Sequence, residues 1–173
     1  MRIAILGAHL TGKTTLAERL HESFPDYDFY QEPYFELQEM GVVFSEIPTA
    51  DDYRMQLEYS LKQIVRSGTD AIFDRCPIDL LAYVLAVDNT FDFQFIYNKI
   101  QNAINTIDVF VFVPLEKPDR ISCSRSDLPE LRSEVNDILY ELISDFDLEV
   151  IEVKGNLSER FHQILHQIQQ LKN

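Results

Sequence analysis

Sulfur is scarce in this chain: 173 residues contain two cysteines, Cys76 and Cys123. Their spacing makes neither a metal knuckle nor a disulfide framework, so a reduced compartment and ordinary packing are expected for both. Four scattered histidines supply no metal set either; His162 and His166 stand four apart beside Glu159 and Gln163, as on a solvated helical flank. Basic residues are few, 15 against 29 acids, for a net charge of −14. A duplex-binding protein needs a basic stripe, and none is visible, which excludes nucleic acid as a partner. No window reaches eighteen apolar residues, so no membrane-spanning helix is expected. The opening Met1–Leu6 is too short for a secretory signal, and a cytoplasmic protein is the expectation. Repeats, low-complexity tracts and linkers are absent too. Residues 1–173 are therefore expected to form a single domain, with 46% apolar residues and about 70% of the unfolded surface buried.

What is present is concentrated near the N-terminus. Gly7-Ala8-His9-Leu10-Thr11-Gly12-Lys13-Thr14 matches the phosphate-binding loop pattern G-x-x-x-x-G-K-[ST] at every fixed position. The apolar run Ile3–Leu6 precedes it as a strand would. Leu16, Leu20 and Phe24 follow at fourfold spacing, as one helical face would. The glycines let the backbone curl so that N–H groups point at phosphate oxygens, and the helix N-terminus adds partial positive charge. In this pattern Lys13 reaches the β- and γ-phosphates, Thr14 ligates Mg²⁺, and Thr15 supports the α-phosphate. A nucleoside triphosphate with Mg²⁺ is the implied ligand.

The rest of the chain alternates strand and helix. Strands are expected at about Arg2–Leu6, up to about Glu32, at Ala71–Phe73, Val109–Val113 and Glu149–Val153. Helices are expected at about Lys13–Ser23, Asp51–Arg66 (closed by Gly68 as a left-handed cap), Ile78–Val87, Phe93–Asn105, around Leu131–Ile143 and from Asn156 to Leu171. A loop with Gly41 and Pro48 is expected between the second strand and the second helix. This pattern predicts an α/β fold with five parallel strands, right-handed crossovers and helices on both faces. Ligands in such sheets sit beyond the carboxyl ends of the strands.

The candidate chemistry lies at those ends. Asp74 closes an apolar strand, where a carboxylate can hold Mg²⁺ opposite Thr14. Arg75 beside it can clamp a phosphoryl oxygen. Glu32 follows the second strand, is held extended by Pro33, and can accept the proton of an attacking hydroxyl. The polar segment at about 115–128 carries Lys117, Arg120 and Arg125 and reads as a lid able to close over the γ-phosphate; Arg132 is a weaker candidate. Lys154 and Asn156, after the last strand, are the candidates for contact with the nucleotide base.

Together these residues resemble the P-loop kinases of small metabolites, above all the deoxynucleoside and nicotinamide riboside kinase group. The motifs that carry the resemblance are the loop at Gly7–Thr14, Glu32-Pro33, Asp74-Arg75 and the arginines at 120 and 125. The resemblance implies the three-layer P-loop fold with an arginine-bearing lid and adenine preference. It also implies Glu32 as general base, Arg75 near the acceptor hydroxyl, and Gln56 as a base-reading glutamine in the acceptor site. The segment Asp74-Arg75-Cys76-Pro77-Ile78-Asp79-Leu80-Leu81-Ala82-Tyr83 is similar to small bacterial AAA-type or kinase-like proteins. The implied reaction is ATP-dependent transfer of a γ-phosphate to a hydroxyl of a nucleoside-like small molecule, by a chain that can be a homodimer. The alternative is a nucleotide-binding ATPase or regulatory module without an acceptor. A GTPase is disfavoured because Asn98-Lys99-Ile100-Gln101 lacks the aspartate of the guanine motif.

Overall fold

A computed structural model describes residues 1–171. Five strands form one parallel sheet: β1 (Arg2–Leu6), β2 (Asp28–Tyr30), β3 (Ala71–Asp74), β4 (Val109–Phe112) and β5 (Val150–Glu152). Their order is β2-β3-β1-β4-β5, with Ile3 registered against Ile72 on one side and Val109 on the other. Alternation along the strands explains the layers. Ile3, Ile5, Val109 and Val111 face one core with α1 (Lys13–Ser23) and α7 (Leu157–Leu171). Ala4, Leu6, Phe110 and Phe112 face the other, covered by α3 (Ala50–Arg66), α4 (Pro77–Val87), α5 (Gln94–Ile104) and α6 (Pro129–Asp145). Strands buried on both faces read as continuous apolar runs, as these do. No helix among the described residues is long and apolar enough to cross a membrane.

Two local features depart from the sequence expectation. The stretch after Glu32 is not all loop: Pro33–Glu39 is a further helix, α2, with proline at its first position. And α3 ends at Ser67 in an extended conformation (φ −71°, ψ 152°), not at a left-handed Gly68. The reason is part local, part tertiary. Ser67 itself serves the Ile64 carbonyl, through its amide at 3.4 Å and its hydroxyl at 2.8 Å. Arg2 holds the extended exit by donating to the carbonyls of Gly68 and Ser67, at 2.9 and 3.0 Å. At the other end of α3, Thr49 and Asp52 form a reciprocal capping box.

Candidate active site

The loop between β1 and α1 takes its shape from its glycines. Gly7 stands at φ +152°, and a Cβ there would lie 2.5 Å from the Val113 carbonyl oxygen. Gly12 is left-handed (φ +87°) and forms the N-cap of α1. Lys13 is 4% exposed and donates to the Ala8 carbonyl at 2.6 Å. Burial, then the nearby Arg75 charge, pulls its ammonium down to about 8 against the opposing pull of Glu32, Asp74 and Asp79.

β3 delivers the acidic partner. Asp74 is 2% exposed, hydrogen-bonds Thr14, and has Oδ1 buried without a partner. Burial raises its carboxyl above the ordinary range, against the charge of Lys13. One hydroxyl and one half-satisfied buried carboxylate suit a hard cation that takes its other oxygens from phosphate and water. Among the described residues no group of three or more His, Cys, Asp or Glu could hold a metal by itself.

Arg75, the next residue, holds a left-handed φ of +87°, unusual for a side chain of this size. Its amide donates to the Ile5 carbonyl at 3.0 Å, which fixes the turn. The turn drives the guanidinium inward, where it bonds Glu32, Asp79 (3.2 Å) and the Gly7 carbonyl (3.3 Å) and lies 5.1 Å from the Tyr83 ring centroid. Asp79 is fully buried at the first turn of α4 and also accepts from the Cys76 amide at 2.9 Å. Burial pushes its carboxyl up to about 6, against the Arg75 charge. Glu32 behaves oppositely. Burial raises its carboxyl, but the charges of Arg75 and Lys13 outweigh that and leave it below the usual carboxylate range.

Glu32 and Arg75 form the floor of a pocket of about 480 Å³ between α2, α3, α4 and the 3-10 turn at Arg125–Asp127. Its walls are aromatic: Tyr34 stacks on Phe44 and Tyr53 on Tyr83, each pair with centroids 4.7 Å apart. Gln56 lines it, 4% exposed; its Nε2 reaches the Asp52 carbonyl at 3.3 Å, and its Oε1 has no partner among the described residues. His9 closes the rim. Its Nε2–H donates to the Asp127 carbonyl (2.7 Å), so Nδ1 is the acceptor facing the Tyr83 hydroxyl (2.8 Å). Burial lowers its pKa, which favours this neutral tautomer.

Of the sequence candidates, the fold thus gathers Gly7 to Thr14, Glu32, Asp74, Arg75 and Gln56 around one strand-end crevice. Thr15 is exposed on the first turn of α1. The remaining candidates are on the surface, Arg120 in a small cleft with Leu10 and Thr11 of the loop and Arg125 in the turn that borders the pocket. Arg120 is half-exposed and bonds Glu116 at 2.8 Å; Arg125 is exposed in the 3-10 turn. Lys154 is largely exposed and paired with Glu152, and Asn156 caps α7 through the Glu159 amide. Three site residues escaped the sequence reading. Asp79 stood four residues after Arg75, a spacing that could have revealed it. Tyr83 and Arg160 gave no local signal, since their partners lie 74 and 149 residues away.

A family model described as an AAA domain matches residues 2–160. A sequence search among curated proteins finds no match. Among solved structures, the NadR protein in complex with NAD and AMP-PNP superposes with a TM-score of 0.73 at 20% identity, over 98% of this chain and 48% of NadR. The chain therefore spans about half the length of NadR. Deoxyadenosine kinase from M. mycoides, with dCMP and dCDP bound, gives 0.68 at 17% identity over 99% of this chain and 100% of the kinase. Thymidylate kinase from Candida albicans gives 0.66 at 16%, over 99% of this chain and 92% of that enzyme. At these identities the likeness is one of fold, the three-layer parallel sheet of P-loop kinases.

Proposed function

The chain belongs to the AAA-domain family, and on that premise we propose that it is an ATP-dependent kinase phosphorylating a hydroxyl of an unphosphorylated, nucleoside-like small molecule. One observation carries this reading: an aromatic-walled pocket opens directly onto the Glu32–Arg75 pair at the edge of the phosphate-binding loop. An ATPase without an acceptor has no need of such a pocket. Lys13 and the loop amides would hold the β- and γ-phosphates, and Thr14 with Asp74 would hold Mg²⁺, which neutralises charge on the transferring phosphate. Glu32 would accept the acceptor's proton, and Arg75 would position Glu32 and the acceptor hydroxyl. Gln56 would read the acceptor ring from inside the pocket.

The pocket's charge supports an acceptor without phosphate. Glu32, Glu46, Asp52 and Asp127 line it, and Arg75, its one cationic side chain, is already paired with Glu32 and Asp79. A second phosphate there would meet carboxylates and no free cation. The stacked tyrosines suit the face of a heteroaromatic ring. The deciding experiment incubates the chain with Mg·ATP and a panel of nucleosides, nicotinamide riboside and nucleoside monophosphates, read by mass spectrometry. A phosphorylated nucleoside supports the proposal. Phosphorylation of monophosphates alone would move the acceptor class, and hydrolysis without any phosphorylated acceptor would overturn the kinase reading.

A further inference from the structure

Four cationic side chains are buried among the described residues: Lys13, Arg75, Arg132 and Arg160. They come from α1, the β3 turn, α6 and α7, yet all four reach the same eight-residue loop. There they bond five consecutive carbonyls. Arg75 donates to Gly7 at 3.3 Å, Lys13 to Ala8 at 2.6 Å, Arg132 to His9 at 2.9 Å and to Leu10 at 2.7 Å, and Arg160 to Thr11. Asp119 holds the Arg132 guanidinium in place, and Glu116 holds that of Arg160 at 2.7 Å.

A trans peptide holds its C=O and the next residue's N–H in one plane, pointing in opposite directions across the C–N bond. Fixing the carbonyls of His9, Leu10 and Thr11 therefore fixes the amides of Leu10, Thr11 and Gly12, aimed the other way. None of those three amides donates to a described residue. We infer that Arg132 and Arg160 are positioning residues for the polyphosphate of the donor: they clamp the loop by its outer carbonyls, so that its inner amides stand ready as an anion cradle. The buried Nε of Arg160 has no partner among the described residues. Its other donors are committed to the loop and to Glu116. This inference rests on the donor side of the proposed function and is independent of the acceptor.

Inorganic tripolyphosphate with Mg²⁺ is the direct probe, because it presents the phosphates without a base. Calorimetric titration of wild type, Arg132→Lys and Arg160→Lys tests the geometry, since lysine keeps the charge but loses the fork. Tripolyphosphate affinity should fall about tenfold or more in each, the size of one lost charge-assisted bond. In turnover assays the KM for ATP should rise while the KM for the acceptor stays unchanged. Bound tripolyphosphate should slow amide exchange at Leu10, Thr11 and Gly12, which have no partner among the described residues without it. At equal ligand concentration the slowing should be smaller in each lysine variant while protection of the sheet amides is unaltered, which separates loop positioning from general loss of fold. Tripolyphosphate affinity within twofold of wild type in both lysine variants would overturn the inference. A wild-type chain that binds no tripolyphosphate would overturn it together with the donor assignment, whereas binding without any acceptor phosphorylation would leave it standing.

Discussion

The substitution Glu32→Gln separates chemistry from structure most cleanly. The fold should survive it. Arg75 keeps Asp79 and the Gly7 carbonyl, and a glutamine oxygen can still accept from its Nε. Donor binding should survive too, because Lys13 and the loop amides are untouched. What is lost is a carboxylate that the charges of Arg75 and Lys13 hold ionised and that, in the proposed reaction, takes the proton of the attacking hydroxyl. A general base of this kind is worth on the order of 10²–10⁴ in rate, equivalent to about 3–5 kcal/mol of barrier. Single-turnover phosphoryl transfer should therefore slow by that factor, with Mg·AMP-PNP affinity unchanged by calorimetry. A variant rate within threefold of wild type, at intact donor affinity, would refute the assignment.

Other consequences are as direct. Lys13, lowered to about 8, must be charged to bind phosphate, so donor affinity should be flat below pH 8 and weaken by up to tenfold per unit above it; a flat titration from pH 7 to 9.5 would count against its role. Gly7→Ala would drive a methyl to 2.5 Å from the Val113 carbonyl, and the displaced loop should lose triphosphate binding by calorimetry even where the chain still folds. Asp79, raised from 3.8 to about 6, binds more protons folded than unfolded between those values. Its contribution is fully present below about 3.8 and fades as pH rises through 6, so wild type should exceed Asp79→Asn in urea-unfolding stability by about 1 kcal/mol more at pH 5 than at pH 7. Gln56→Ala should raise the acceptor KM severalfold and leave the ATP KM alone, because its amide lines the acceptor pocket only.

How much of this was legible in the sequence follows from how local each feature is. The phosphate loop is contiguous, and its chemistry is spelled by its own residues. The strands were legible because burial on both faces makes apolar runs such as Val109–Phe112. By contrast α2 is seven residues long and buries only Pro33 and Leu37, too little for a periodic signal. The end of α3 escaped because Ser67 serves the last-turn carbonyl of Ile64 and Arg2, 65 and 66 residues away, holds the exit in an extended conformation. The lid arginines show the same limit. Composition pointed first to Arg120 and Arg125 and more weakly to Arg132, but which arginine meets the loop carbonyls depends on where α6 and α7 pack, and Arg132 and Arg160 are the ones that reach them.

The net charge of −14 looks ill-suited to a chain that binds a polyanion, and the buried cations resolve the mismatch. Surface charges act through water and salt, where separation beyond about 10 Å leaves little interaction. Charges removed from water act more strongly and are screened less. Among the described residues the four buried cations all sit on the carbonyls of a single loop, while the surplus of acids is spread over the rest of the sequence. Each of those cations is costly to bury, and Lys13 registers the cost in its lowered pKa. Carboxylates from separate elements (Glu32, Asp79, Asp119 and Glu116) offset the three arginines. Lys13 has no such salt bridge and donates to a single carbonyl at 2.6 Å, a bond it can exchange for a phosphate oxygen. The loop is thus surrounded by committed arginines and holds one uncommitted ammonium, which is the arrangement a site needs when the cradle must be rigid before the phosphate arrives and one cation must follow it.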